Sequence, residues 1–159
     1  MSEPLALPVH VAALDDIAPR QLYGIMQLRI EVFAVEQDCA AYQDLDGRDG
    51  EPGALLLWQE AGDGRVVSTI RFLHQGEDRV IGRVVTAKDF RGRGLSAQLI
   101  RRGIELADGR PIELGAQAHL QQWYEGFGFV RYGEGYFEDD IPHVHMRREP
   151  TRAPNGAEG

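Results

Sequence analysis

Between residues 54 and 116 the spacing of apolar residues changes from that of strands to that of a helix and back, and this alternation narrows the possible folds more than any other feature of the chain. Residues 54–60 and 66–73 are apolar or β-branched runs separated by Gly62-Asp63-Gly64, a hairpin signal. A second turn at 75–78 leads into a third run at 79–86. Three antiparallel strands in meander order are expected. A helical pattern comes next over 95–107, with Leu95, Leu99, Ile100, Ile104 and Leu106 among its apolar positions, closed by Asp108-Gly109 and followed by a strand at 111–116. Strand, helix and strand in this order form a right-handed parallel crossover. The expected fold is mixed α/β: one sheet, antiparallel first and then parallel, with helices on both faces.

The flanks fill out a single domain. Asp15, Asp16 and Pro19 precede Leu22, Ile25, Met26, Arg29, Val32 and Phe33 at helical spacing, which predicts a first helix over about 19–34. Residues 35–53 turn polar, with Asp44, Asp46, Asp49, Gly47, Gly50, Pro52 and Gly53, and read as a long connection of the kind that often carries function. Residues 117–126 have a short helical pattern, and the stretch up to Arg148 alternates aromatics with turn residues as one or two closing strands would. The domain is set at 1–149 and a frayed tail at 150–159, with no repeat or linker.

Charge and cysteine content bear on the class of partner. With 17 basic against 25 acidic residues the net charge is −8, which disfavours nucleic acid and mildly favours a cationic substrate. Cys39 is the single cysteine, so an intrachain disulfide framework is excluded. The first ten residues have no basic stretch followed by an apolar run, and no run of about 18 apolar residues occurs; a cytoplasmic protein without a membrane partner is expected.

The chemistry is concentrated after the third run. Arg91-Gly92-Arg93-Gly94-Leu95-Ser96 places two glycines at the mouth of a helix, where unpaired N–H groups and partial positive charge suit a pyrophosphate. Arg91 and Arg93 add direct charge to an otherwise acidic chain. These residues alone point to a nucleotide-like diphosphate. Two motifs claim them. Gly92-x-Gly94-x-x-Ala97, with Glu113 further on, satisfies the dinucleotide pattern, but four residues separate the strand from Arg91, antiparallel strands come first, and too little chain remains for a second nucleotide-binding half.

The second motif has context on both sides. Arg91, Gly94 and, with a substitution, Ser96 meet the Q/R-x-x-G-x-G/A loop of the GNAT superfamily of N-acetyltransferases; Val84-Val85-Thr86 lies just upstream and Tyr124-Glu125-Gly126-Phe127-Gly128-Phe129 resembles the family's Y-x-x-x-G-F signature downstream. Gln117 stands where the family often has Asn. Segments 28–37, 81–85, 114–120 and 138–143 resemble the ElaA-like branch, so the similarity covers nearly all of 22–148.

This resemblance implies a GNAT fold and transfer of an acetyl group from acetyl-coenzyme A, an acyl-donor cosubstrate, to an amine by direct attack. It assigns the donor to Val84, Val85, Thr86, Arg91, Gly92, Arg93, Gly94, Leu95, Ser96, Ala97 and Gln117, and the oxyanion to a backbone N–H near Val85 or Thr86. Acetyl transfer needs a neutral amine, a stabilised oxyanion and a proton for the departing thiolate. Tyr124 is the candidate acid; without the motif it would be an ordinary core tyrosine. Gln117, Gln121 and Tyr124 are expected on one helical face. The base stays open among His74, His119, Glu36, Glu113 and a water chain, because residues 79–86 contain no Glu, and the five-residue offset of His119 from Tyr124, about 140° around an ideal helix, argues against both facing one centre. Glu36 and Gln37 are the candidate acceptor contacts, and with Tyr42, Asp44, Asp46 and Asp49 they form either a site for a cationic amine or a solvated acidic loop.

No metal is expected. The spacing around Asp44 and Asp46 fails the calcium-loop pattern, and His143 and His145, after Glu138, Asp139 and Asp140, are as well explained by a closing strand. A non-catalytic acetyl-coenzyme A binder and a transferase for another acyl donor are the rival functions. The aromatic-rich segment 123–137 is a candidate homodimer surface.

Overall fold

The computed structural model describes residues 3–38 and 43–150. Cys39 and Tyr42, and the tail from 151 onward, lie outside the described residues. The elements are β1 (His10–Ala12), α1 (Pro19–Ile30), β2 (Leu55–Glu60), β3 (Val66–Gln75), β4 (Asp78–Thr86), α2 (Leu95–Ala107), β5 (Ile112–Gln117), α3 (Gln121–Glu125), β6 (Val130–Glu138) and β7 (Ile141–Arg148). They form one seven-stranded sheet in the order β1-β2-β3-β4-β5-β7-β6. The pair β4–β5 is parallel and every other pair is antiparallel. The meander, the crossover and the two helical faces agree with the sequence pattern. No helix of the described residues is long and apolar enough to cross a membrane.

Alternation along the strands divides the core. On one face Ile25, Leu28 and Val32 of the first helical segment pack with Leu56, Trp58 and Val67. On the other, Leu99, Ile100 and Ala107 of α2 pack with Leu57, Ile70, Phe72, Ile81, Ile112 and Leu114. Gly103 lets α2 approach closely, since a Cβ there would stand 3.0 Å from Ile81 Cδ1. The three-residue strand β1 carried too little pattern to be read from the sequence.

Two local departures from regular geometry occur near the end of α1 and within β4. The first helix does not run regularly to 34: the α-helix ends at Ile30 and a wider π-type turn spans Glu31–Glu36, with the Gln37 N–H donating to the Val32 carbonyl at 3.1 Å. In β4 the register with β3 slips, since Thr69 faces Val85 while Arg71 faces Gly82, leaving Arg83 and Val84 opposite Ile70 alone. Arg83 takes a φ of 51°, and the pair forms a β-bulge.

Buried charge fixes the long connection. Arg29, fully buried on α1, donates Nε to Asp44 at 2.9 Å and Nη1 to Asp49 at 2.6 Å. Arg71 of β3 pairs with Asp46 at 2.8 Å, and Arg83 with Asp44 and Asp46 at 2.8 and 3.1 Å. Three aspartates and three arginines thus tie the segment after α1 to the bulged strand. Removing one partner of such a group strands buried charge, at a typical cost of about 3–5 kcal/mol. Arg29→Met should therefore lower unfolding free energy in urea by roughly that amount.

Burial works to raise the Asp46 carboxyl, but hydrogen bonds from Arg71 and from the Arg48 N–H outweigh it and hold it at about 2, against 3.8 for a free aspartate. The lowered value means that its contribution is present above the unfolded pKa and is lost as pH falls through the folded one. Thermal midpoints should drop between about pH 4 and pH 2, and less steeply in Asp46→Asn than in the parent.

Candidate functional site

The parallel pair β4–β5 holds together only at its start. Arg79 and Val80 are in register with Ile112 and Glu113; beyond them the two strands part. The opening forms a cavity of about 490 Å³, lined by β4 from Val80 to Thr86, by Leu114, Gly115, Ala116 and Gln117 of β5, and by side chains from both faces of the sheet. A second cavity of about 400 Å³ lies against the loop between β4 and α2. The two share Val84, Val85, Thr86, Arg91, Leu120 and Tyr124, so they meet at the end of β4. Sizes in this range suit a small-molecule ligand.

The loop is shaped by its glycines. Gly92 and Gly94 have φ of 79° and 87°, and Gly94 starts α2 in the left-handed conformation that side chains disfavour. The first intrahelical bond joins the Gln98 N–H to the Gly94 carbonyl, which leaves the N–H groups of Leu95, Ser96 and Ala97 without an intrahelical acceptor. All three residues line the second cavity with Gly92 and Gly94. The Ser96 hydroxyl, the position departing from the loop pattern, is 2.6 Å from the Thr86 hydroxyl, which is in turn 3.0 Å from that of Ser68. This chain of hydroxyls clamps the helix start to the strand end, so Ser96 does not crowd the loop.

The arginines of the loop divide. Arg91 donates Nε to the Thr86 carbonyl at 2.9 Å and both terminal nitrogens to Glu36, at 2.7 and 2.8 Å. The Glu36 carboxyl is lowered chiefly by that hydrogen bond, and the Arg91 guanidinium is raised by it. Arg91 borders both cavities, whereas Glu36 lines neither. Arg93 lines neither cavity; its guanidinium lies over the Phe90 ring at 5.8 Å and its Nε donates to the Glu3 carbonyl at 3.0 Å. Gln37 lies in the larger cavity, carried there by the π-type turn.

Tyr124 is 4% exposed, with its ring edge-on to Phe129 at 6.1 Å. Its hydroxyl makes no hydrogen bond to another described residue, and burial raises its pKa above the ordinary phenol value. The helical face expected from the sequence needs correction: Gln117 is the last residue of β5 and α3 begins only at Gln121, so Gln117, Gln121 and Tyr124 do not share one helix. A short 3₁₀ turn, Ala118–Leu120, intervenes, and the ideal-helix angle used against His119 fails with it; His119, Gln117 and Tyr124 all line the larger cavity.

The acidic segment also departs from expectation. Asp44, Asp46 and Asp49 are committed to Arg29, Arg71 and Arg83 and do not form an open site for an amine. Of the remaining candidate bases, Glu113 accepts from Tyr132 and pairs with Arg147, and His74 is exposed near the end of β3; neither lines the cavity. Sequence reasoning gave no site role to Tyr136, Glu138 and His143, which do line it. Their strand alternation was the available signal, but the pairing that brings the closing hairpin beside β5 was not.

Similarity to known proteins spans most of the chain. A family model described as an acetyltransferase (GNAT) domain matches residues 15–150. Protein ElaA of Escherichia coli is 40% identical over 148 residues, covering 87% of this chain and 94% of its own. The crystal structure of an acyl-CoA N-acyltransferase from Pseudomonas aeruginosa is 41% identical, with a TM-score of 0.84 over 90% of this chain and 99% of that one. The crystal structure of Escherichia coli ElaA is similar at 36% identity, also with a TM-score of 0.84, over 91% of this chain and all of that one.

The glycine conformations give a direct test of the loop. Gly94→Ala places a side chain at a φ of 87° and should cost about 1–2 kcal/mol in urea unfolding.

Proposed function

The chain belongs to the GNAT superfamily of acetyltransferases, in its ElaA-like branch, and from that we propose that it is an N-acetyltransferase moving the acetyl group of acetyl-coenzyme A onto an amine by direct attack. The observation that carries this function is the meeting of two cavities at the parted end of β4, one against a helix start rich in free N–H groups and the other open to an acceptor.

In this reading the pyrophosphate lies on the backbone of Gly92, Gly94, Leu95, Ser96 and Ala97, where the helix dipole and oriented N–H groups favour an anion. Arg91 and Arg93 supply charge at the loop's rim. The pantetheine arm runs along Val84, Val85 and Thr86, with Gln117 beside it across the gap between the strands. Parted strands leave backbone groups of β4 without strand partners, and a N–H near Val85 or Thr86 is the donor assigned to the tetrahedral oxyanion. Tyr124, shared by both cavities, gives its proton to the leaving thiolate; its burial keeps that proton in place at neutral pH. Gln37 contacts the acceptor, and Glu36 acts at the same site by holding Arg91 at the boundary.

Release of free coenzyme A from acetyl-coenzyme A, followed with a thiol reagent across a panel of primary amines, peptide N-termini and polyamines, tests this function. Amine-dependent release is expected. Tyr124→Phe should lower kcat by about a hundredfold or more while acetyl-coenzyme A affinity stays within about twofold. Binding without release for any amine would point to a non-catalytic binder, and faster release from a longer acyl thioester would reassign the donor.

A further inference from the structure

The end of the larger cavity away from the glycine loop is built by the closing hairpin. β6 ends at Glu138, Asp139 and Asp140 turn the chain with φ of 52° and 66°, and β7 returns. Tyr136 is in register with His143 and Glu138 with Ile141, so Tyr136, Glu138 and His143 share one face of the sheet. On its other side His143 is in register with Gln117 of β5. Phe33 and Gln37 from the turn after α1 close a recess over Gln117, Glu138 and His143, and these five also line the cavity that contains Tyr124.

The histidine is held in one tautomer and one plane. Its Nδ1 is 2.8 Å from the Ile141 carbonyl, and because a carbonyl only accepts, Nδ1 carries the hydrogen and Nε2 presents a lone pair. Tyr136 stacks on the ring at 5.5 Å, with its own hydroxyl in the space that a side chain at Gly115 would need. No described residue hydrogen-bonds to Nε2. His119, the other histidine of the cavity, is exposed and has no hydrogen bond to a described residue that would orient its ring.

Charge around the cavity is matched everywhere except in this recess. Arg71 and Arg83 are neutralised from behind by Asp44 and Asp46, and Arg91 by Glu36. Glu138 is the one carboxylate lining the larger cavity among the described residues, and it forms no ion pair with any of them; Asp139, exposed at the turn, also borders the recess. A half-buried carboxylate without a cation, beside an imidazole with a fixed free lone pair, suits a group that arrives positive and leaves neutral.

We propose that this recess is the acceptor subsite: Glu138 receives a primary alkylammonium, and His143 Nε2 is the general base that takes its proton. The assignment rests on the acetyltransferase function proposed above. The first ammonium proton passes to Nε2 and on to solvent, leaving a neutral amine whose lone pair forms the nitrogen–carbon bond at the thioester carbon. As the carbon–sulfur bond breaks, its electron pair stays on sulfur, which takes the Tyr124 proton. Tyr124 regains a proton from the second one lost by the attacking nitrogen, and one proton is released overall.

The experiment measures steady-state coenzyme A release with a primary alkylamine, and acetyl-coenzyme A affinity by calorimetry, for the parent, His143→Ala, His143→Gln and Glu138→Gln. Both histidine variants should lose about a hundredfold or more in kcat with acetyl-coenzyme A affinity within about twofold, and added imidazole should restore turnover to His143→Ala. Glu138→Gln should raise KM for the amine severalfold and leave kcat near the parent's. Turnover within about threefold of the parent in either histidine variant, loss without imidazole rescue, or weakened acetyl-coenzyme A binding in both would overturn the assignment. If the parent itself releases no coenzyme A with any amine, the acetyltransferase function falls and this role falls with it; an active parent with unaffected variants sinks the role alone.

Discussion

The parting of β4 from β5 is the constraint on which the rest of the structure depends. A parallel pair in register only at Arg79–Ile112 and Val80–Glu113, with one bond from the Arg79 N–H to the Pro111 carbonyl, leaves the facing edges of the later halves of β4 and β5 without each other as partners and a gap between them. Buried backbone polar groups need partners, so a gap of this kind persists in a folded sheet where water or a ligand can satisfy them. The bulge at Arg83 and Val84 falls within the stretch of β4 that has already parted from β5, and the gap becomes a passage reaching from the glycine loop to the closing hairpin.

Holding a strand in that shape requires compensation. A non-glycine residue at a φ of 51° is disfavoured by about 1–2 kcal/mol, and Arg83 is kept there by Asp44 and Asp46. Those aspartates are themselves positioned by Arg29 and Arg71, so the long connection after α1 acts as a brace for the bulge. The acidic character of the connection thus has a structural cause. It also pairs Arg71 and Arg83 with carboxylates, which leaves Glu138 as the one carboxylate lining the larger cavity among the described residues.

The meander, the crossover, the two-faced core and the glycine loop were all legible because each is local: period-two and helical spacing, turn residues and positive-φ glycines act over a few residues. Tyr124 was singled out through a motif and lines both cavities, but the helical face assumed for it does not exist, because the 3₁₀ turn at Ala118–Leu120 breaks the spacing. The pairing of Asp44, Asp46 and Asp49 with Arg29, Arg71 and Arg83 spans up to several tens of residues, and nothing in the spacing of those charges distinguishes an internal brace from an open site.

By itself the sequence determined the class of fold and the glycine loop at the start of α2, since both arise from short-range periodicity and from the backbone freedom of Gly92 and Gly94. Only tertiary structure decided which charges are spent inside the protein and which remain in the cavity. The order β5-β7-β6 sets Glu138 and His143 beside Gln117, and the π-type turn brings Phe33 and Gln37 across from them. The physical reason is that strand order and register depend on contacts between residues far apart in the chain, which no local pattern of amino acids encodes.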